Sequence, residues 1–277
     1  EAVKNLRADV LSFCMIPDRI PAFDFESFFK SHKVSYAGEE VQVAQELTWE
    51  GVEPSLPPPE ICGKIKAIDI AVGGVKEYLR DPVNNLLPED QWPEKPQKAL
   101  VHCDDEEWEK LAVGIVKHNI CEVIELDNVF GWANHHLLHG LFGVLKNEKT
   151  PSGIDILRLI MNLIPLNIII RAAMGDIGTL PMVPQWGSLV MLVEEALVWS
   201  AEDLRCMFYL FALPSTWLPF QAFNRLAPSC LIPKGCKKAC VLASRVLGMG
   251  FTSAVGIAQH LKREMLTGDP GADKHLP

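Results

Sequence analysis

The sequence predicts an α+β chain, and three observations predict it. From residue 140 onward, short β-prone runs alternate with turns. Residues 253 to 266 then repeat apolar side chains at helical spacing. The chain has 277 residues, 48% of them hydrophobic, enough to bury a sizeable core. Two regions are expected: a mainly helical stretch over 1–100 with proline-rich linkers, and an antiparallel sheet with packed helices over 101–277.

Taken in order, the first region shows Phe23, Phe25, Phe28 and Phe29, with Asp24 placed to cap a helix. Pro54, Pro57, Pro58 and Pro59 cannot continue a helix and read as a linker. Ile65, Ile68, Val72, Val75 and Leu79 follow at helical spacing. Gly73 and Gly74 interrupt them, costing up to about 2 kcal/mol together relative to alanines, so a broken or bent helix is expected. Pro82, Pro88, Pro93 and Pro96 make 81–99 a second connecting segment.

At Asp104 the pattern sharpens. Asp104, Asp105, Glu106 and Glu107 put negative charge on a helix N-terminus, and Trp108, Leu111, Ala112, Ile115 and Val116 form one apolar stripe. A helix over 105–118 is expected, with its carboxylates as dipole partners rather than metal ligands. His135, His136 and His139 also suggest a metal, but incidental histidines are the stronger reading.

Composition narrows the function classes. The longest apolar run, 157–170, is broken by Arg158, Asn162, Pro165 and Asn167, so no membrane-spanning helix is expected. No basic segment followed by an apolar core marks a secretory signal, and a chain beginning at Glu1 is expected to be a fragment. Eight scattered cysteines fit reduced thiols in an intracellular compartment, nuclear or cytoplasmic. Cys230, Cys236 and Cys240 lack a standard zinc spacing and read as incidental loop thiols. The net charge of −9 argues against nucleic-acid binding, but residues 1–139 carry 13 Lys/Arg against 25 Asp/Glu, and 140–277 carry 13 against 10. The back half is permissive for phosphate contact.

Three segments carry the candidate chemistry. The runs 140–146 and 157–167 surround a turn containing Pro151, Ser152 and Gly153, and this hairpin brings Lys146 near Arg158. Two cations so placed can clamp a polyphosphate, although solvated cations on a hairpin are commoner. A β-prone run from Leu197 ends in Asp203, with Phe208 five residues on, an arrangement that can hold a hard cation beside a nucleotide sugar. Finally, Gly248, Met249 and Gly250 offer a backbone that another molecule can approach closely. They precede a helix that Ser253 can cap, with Ala254, Ile257, Ala258, Leu261 and Met265 as its apolar face.

Together these segments, over roughly 104–266, resemble the reverse transcriptase family of retrotransposon type. The Arg158–Leu163 run and the Glu202–Phe211 run also resemble divergent reverse-transcriptase-like sequences of dinoflagellate genomes. The resemblance implies the fingers and partial palm of a right-hand polymerase, with 197–203 and 208–213 as strands of an antiparallel palm sheet and the 253–266 helix packed against it. It implies that Lys146 and Arg158 hold the incoming triphosphate, that Asp203 is the catalytic, metal-binding aspartate of motif A, and that Phe208 blocks a ribose 2′-hydroxyl. Met249, Gly250 and Gln259 fall in motif B, which supports nucleotide and template. The helix from Asp104 and the run Phe220–Phe223 resemble the elements before the fingers and after motif A. Mg²⁺ or Mn²⁺, dNTPs and an RNA or DNA template-primer are the implied cofactor and partners.

Departures from the family pattern stand at Gly248, where proline is usual, at Asn162, often aspartate, and at Ile164, where arginine is expected. Motif C is missing: after Gln259 only Asp269 and Asp273 remain, in a Gly/Pro-rich tail. Phosphoryl transfer by two metals needs several carboxylates, so a chain ending after motif B is expected to hold metal weakly and not to extend a primer. The alternative is a non-catalytic retroelement relic that binds nucleic acid or protein.

Overall fold

The strongest strand pattern in the sequence forms the longest strand pairing among the described residues. Strand β5 (Gly140–Lys149) runs antiparallel to β6 (Asp155–Asn162), with Leu141 opposite Met161, Gly143 opposite Leu159 and Leu145 opposite Leu157. Those residues face inward, and the alternation puts Phe142, Val144, Arg158 and Ile160 on the opposite face. The register shifts between Leu145 and Lys149, and the chain reverses where Thr150 N–H donates to Ile154 O at 2.8 Å and Gly153 takes φ +87°. The computed structural model describes residues 43–179 and 205–267. These lie in one compact unit, Val43–Pro277. The helix expected at Asp24 and the strand expected over 197–203 lie outside the described residues.

Before the hairpin come α1 (Trp49–Val52), β1 (Ile65–Lys66), α2 (Ala67–Ile70), α3 (Gly73–Arg80), α4 (Asp105–Lys117), β2 (Cys121–Glu125), β3 (Gly131–Trp132) and β4 (His135–His136). The break between α2 and α3 falls at Ala71 and Val72, and Gly73 and Gly74 open α3. Helix α4 begins as its sequence requires: the Asp104 carboxylate accepts from Glu107 N–H at 2.7 Å, and Trp108, Leu111, Ala112 and Ile115 are buried. Val116 is only partly so.

The prolines at 54–59 do not make a spacer. Leu56 and Pro57 are buried, and the His118 ring bonds Pro57 O at 3.1 Å. Nor does the chain around residue 100 stand apart, since Val101 bridges Leu141 and Leu47 N–H donates to His102 O at 2.7 Å. Prolines without an N–H suit a segment that packs by side chains and accepts hydrogen bonds through its carbonyls.

After the hairpin come α5 (Ile164–Asn167), α6 (Met207–Leu210), β7 (Phe211–Ala212), β8 (Ala222–Leu226), β9 (Cys240–Ser244) and α7 (Ala254–Thr267). Strand β9 lies between β2 and β8 in an antiparallel sheet, so the molecule is mixed α and β with antiparallel sheets and packed helices. Among the described residues no helix is long and apolar enough to cross a membrane.

The strand expected over 208–213 is largely replaced by a helical turn. Cys206 adopts φ +58°, which breaks the extended backbone, and only Phe211 and Ala212 form a strand, parallel to β1 and bridged antiparallel to Val246 through Ala212. Helix α7 buries Ala254, Ile257, Ala258 and Leu261, but Met265 is 47% exposed, because the core ends one turn earlier. The Ser253 hydroxyl bonds Tyr78 Oη at 3.0 Å and accepts from Ala173 N–H at 2.9 Å.

His139, fully buried just before β5, donates from Nε2 to Phe220 O at 2.9 Å. Burial pushes its pKa down from 6.5 to about 4. Between those values the unfolded chain binds a proton that the folded chain does not, so His139 contributes to stability fully above pH 6.5 and progressively less as pH falls toward 4. The contribution lost is about 3 kcal/mol. Urea unfolding of the wild type and His139→Gln across pH 4 to 7 is expected to show a shallower acid slope in the variant. Parallel slopes would mean that His139 titrates alike in both states.

Candidate functional site

Beside the outer face of the hairpin lies a cavity of about 160 Å³. Its cations are Lys146, Arg158 and Arg205, and its wall is completed by Ser55, Leu159, Cys206, Tyr209 and Met249. Register explains the first two. Arg158 pairs with Val144, and Lys146 stands two residues beyond Val144, on the same face of the strand. Met249 arrives on the other edge of β6, where its carbonyl accepts from Met161 N–H at 2.9 Å. Arg205 and Cys206 are delivered by the turn before α6, and Tyr209 anchors that turn by donating from its hydroxyl to Leu159 O at 2.7 Å. Burial raises the Tyr209 pKa strongly, so this hydroxyl remains a neutral donor.

The charge in the cavity is only partly compensated. Lys146 approaches Glu148 at 3.3 Å, with side chains 25% and 57% exposed, a pair weakened by solvent. Arg205 donates to Pro54 O at 3.4 Å, and among the described residues Arg158 has no carboxylate partner. Among the described residues three cations and no carboxylate line the space, which suits oxygen anions such as phosphate.

The same lining does not suit a bare divalent cation. Among the described residues no group of three His, Cys, Asp or Glu side chains could hold a metal ion. Asp203, on which the expectation of Mg²⁺ or Mn²⁺ rests, lies outside the described residues. The other metal candidates have structural roles: Asp104 caps α4, Asp105 pairs with Arg225, and Glu107 accepts from Trp49 N–H at 3.0 Å and pairs with Lys110. His135 and His136 are exposed on β4, away from the buried His139.

Of the sequence candidates, Lys146, Arg158 and Met249 meet at the cavity. Phe208 does not line it and packs, partly buried, against the core. Gln259 sits half-buried on α7, also outside the lining. Gly250 takes φ +119°, and a Cβ there would collide with the Met161 carbonyl. The molecule that closely approaches the Gly-Met-Gly backbone is therefore the chain's own strand β6.

Sequence reasoning gave no role to Arg205, Cys206 or Asn167. Arg205 stood two residues after Asp203, and its charge was the available signal. Asn167 acts at a distance in sequence: its Nδ2 donates to Gly250 O at 2.9 Å and its Oδ1 accepts from Thr252 N–H at 3.0 Å. One side chain thus fixes both sides of the turn that follows Met249.

A larger open groove of about 630 Å³ lies between α4 and Trp49. Its charges are of both signs, Glu53, Glu106 and Glu109 against Lys110 and Lys117. Chemistry favours the smaller cavity. No family model matches the chain, and comparison with curated proteins finds no match either.

Replacing Asn167 with alanine is expected to lower the unfolding free energy by about 1 kcal/mol. Amide exchange at Thr252 should quicken with it, since that N–H loses its acceptor. Unchanged protection of Thr252 in the variant would mean that the turn is held by other contacts.

Proposed function

We propose that the cationic cavity binds the polyphosphate of a nucleotide, and that the chain is a reverse transcriptase-like nucleotidyltransferase of a retroelement, making DNA from dNTPs on an RNA template. One observation carries this reading: Lys146, Arg158 and Met249, assigned to nucleotide binding from separate sequence blocks, line a single cavity together with Arg205 and Tyr209. Residues 103 apart in sequence have no local reason to meet there. Arginine presents a planar fork that matches two phosphate oxygens, whereas lysine supplies a compact charge to a third. The antiparallel hairpin holds both at fixed separation, so the ligand is met by a preorganised surface.

In this reading the fingers correspond to β5 and β6, and the partial palm to the sheet of β2, β9 and β8 with α7. Asp203 would bind Mg²⁺ or Mn²⁺ and supply the catalytic carboxylate. The template-primer would be the macromolecular partner. A second reading is favoured by the cavity's described lining: cations without carboxylates bind phosphate but do no two-metal chemistry, as in a relic that retains nucleic-acid binding.

A titration with a fluorescent dNTP at low and moderate salt tests the binding. Lys146→Ala and Arg158→Ala are each expected to weaken it by roughly 5- to 100-fold, equivalent to about 1–3 kcal/mol. Equal affinity in wild type and both variants would remove the assignment. Because motif C is missing from these residues, triphosphate binding without primer extension is expected with Mg²⁺ or Mn²⁺, and extension by the wild type that is lost in Asp203→Ala would show a complete active site. The two readings part on the coding sequence that follows Pro277: a Tyr-x-Asp-Asp-like hairpin favours the polymerase, and a stop codon favours the relic.

A further inference from the structure

The loop that leads into β9 folds two thiols onto one carbonyl. Cys236 Sγ and Cys240 Sγ lie 3.7 Å apart. Both are directed at Lys238 O, at 3.9 Å and 3.6 Å. Each cysteine is held by its backbone. Cys236 N–H donates to Pro233 O at 3.0 Å after Gly235 turns the chain with φ +88°, while Cys240 O accepts from Ala227 N–H at 2.8 Å and Cys240 pairs with Glu125 across the sheet. Lys238, between them, pairs with Glu125 at 2.7 Å and with Asp127 at 3.4 Å, which pins the middle of the loop.

We propose that Cys236 and Cys240 are a dithiol that hydrogen peroxide converts into an intramolecular disulfide. A disulfide bond is about 2.05 Å long, so the sulfurs must close by a little under 2 Å. The loop position of Cys236 supplies that movement, and Cys240 stays with its strand. Exposure assigns the roles: Cys236 is partly exposed and Cys240 is buried. Burial, and then contact with Cys236, raises the Cys240 pKa and keeps that thiol protonated. The Cys236 thiolate attacks one peroxide oxygen, breaking the O–O bond and releasing hydroxide, and becomes a sulfenic acid. The Cys240 sulfur then displaces water from it, forming the S–S bond; the two thiols are oxidised and peroxide is reduced to two waters. The product ties the 233–239 loop to β9, the strand whose chain runs on through Val246 to Met249 at the cavity.

The full chain treated with peroxide, quenched with an alkylating agent and mapped by mass spectrometry tests this. The expected product is lighter by about 2 Da, bridges Cys236 to Cys240 and is reversed by dithiothreitol. In Cys240→Ser the oxidised Cys236 should persist as a sulfenic acid trapped by dimedone, and in Cys236→Ser no bridge should form. Buried Cys62 and Cys121 serve as controls, alkylated only after unfolding. A bridge to Cys230, a disulfide-linked dimer, or Cys236 and Cys240 both still free after peroxide would overturn the proposal.

Discussion

The register of the β5–β6 hairpin is the constraint on which the rest of the structure depends. Both of its outer edges are in use. Gln45 exchanges two 2.9 Å hydrogen bonds with Gly143 on one side, and Met249 O accepts from Met161 N–H on the other. Side chains in a strand alternate with a period of two, so a slip of one residue would turn Leu157, Leu159 and Met161 to the outer face and Arg158 into the core. Burying an unpaired guanidinium costs several kcal/mol, far more than one exposed leucine. The hydrophobic pattern that makes the fold thus also sets the two cations of the cavity on one face.

Close packing against that hairpin explains the residues that look most like ligand contacts. Gly248 lies against Met161 Sδ, and Gly250 lies against the Met161 carbonyl in a backbone conformation that L side chains rarely adopt. Gly143 has the same role on the inner face, where Leu157 and Gln45 leave no room for a larger side chain. These glycines position Met249 beside Tyr209 and Arg158. Their effect on a ligand passes through the placement of those side chains.

Helix α4 was legible because cap, charge and apolar stripe all agree locally, and the hairpin was legible because alternation and turn residues coincide at 140–162. The segment 208–213 was not, since β-prone aromatics there are overruled by Cys206 in the left-handed region and by the Tyr209 hydroxyl reaching β6, contacts made 50 residues away. For the same reason Asn167 escaped notice: its two partners, Gly250 and Thr252, lie more than 80 positions further on. The meeting of Lys146 and Arg158 could be read from the hairpin alone. That Arg205 and Met249 join them depends on tertiary packing, which no local pattern encodes.

Three cations around one small cavity carry an energetic consequence. Like charges a few ångströms apart repel by about 1 kcal/mol per pair in water and more where protein displaces it. Among the described residues only Lys146 has a carboxylate neighbour, and that pair is largely solvated. Buried residues back the site: Tyr209 and Leu159 are fixed in the core, and Arg158 extends from paired strand β6. An anion entering this space gains attraction to all three charges and relieves their mutual repulsion, and it finds them already in place. Its binding therefore stabilises the folded chain in proportion to the logarithm of its concentration above Kd. In the proposed reading, the stability lost to charge crowding and the affinity for phosphate are two measures of one arrangement, of which the register of β5 and β6 fixes Lys146 and Arg158.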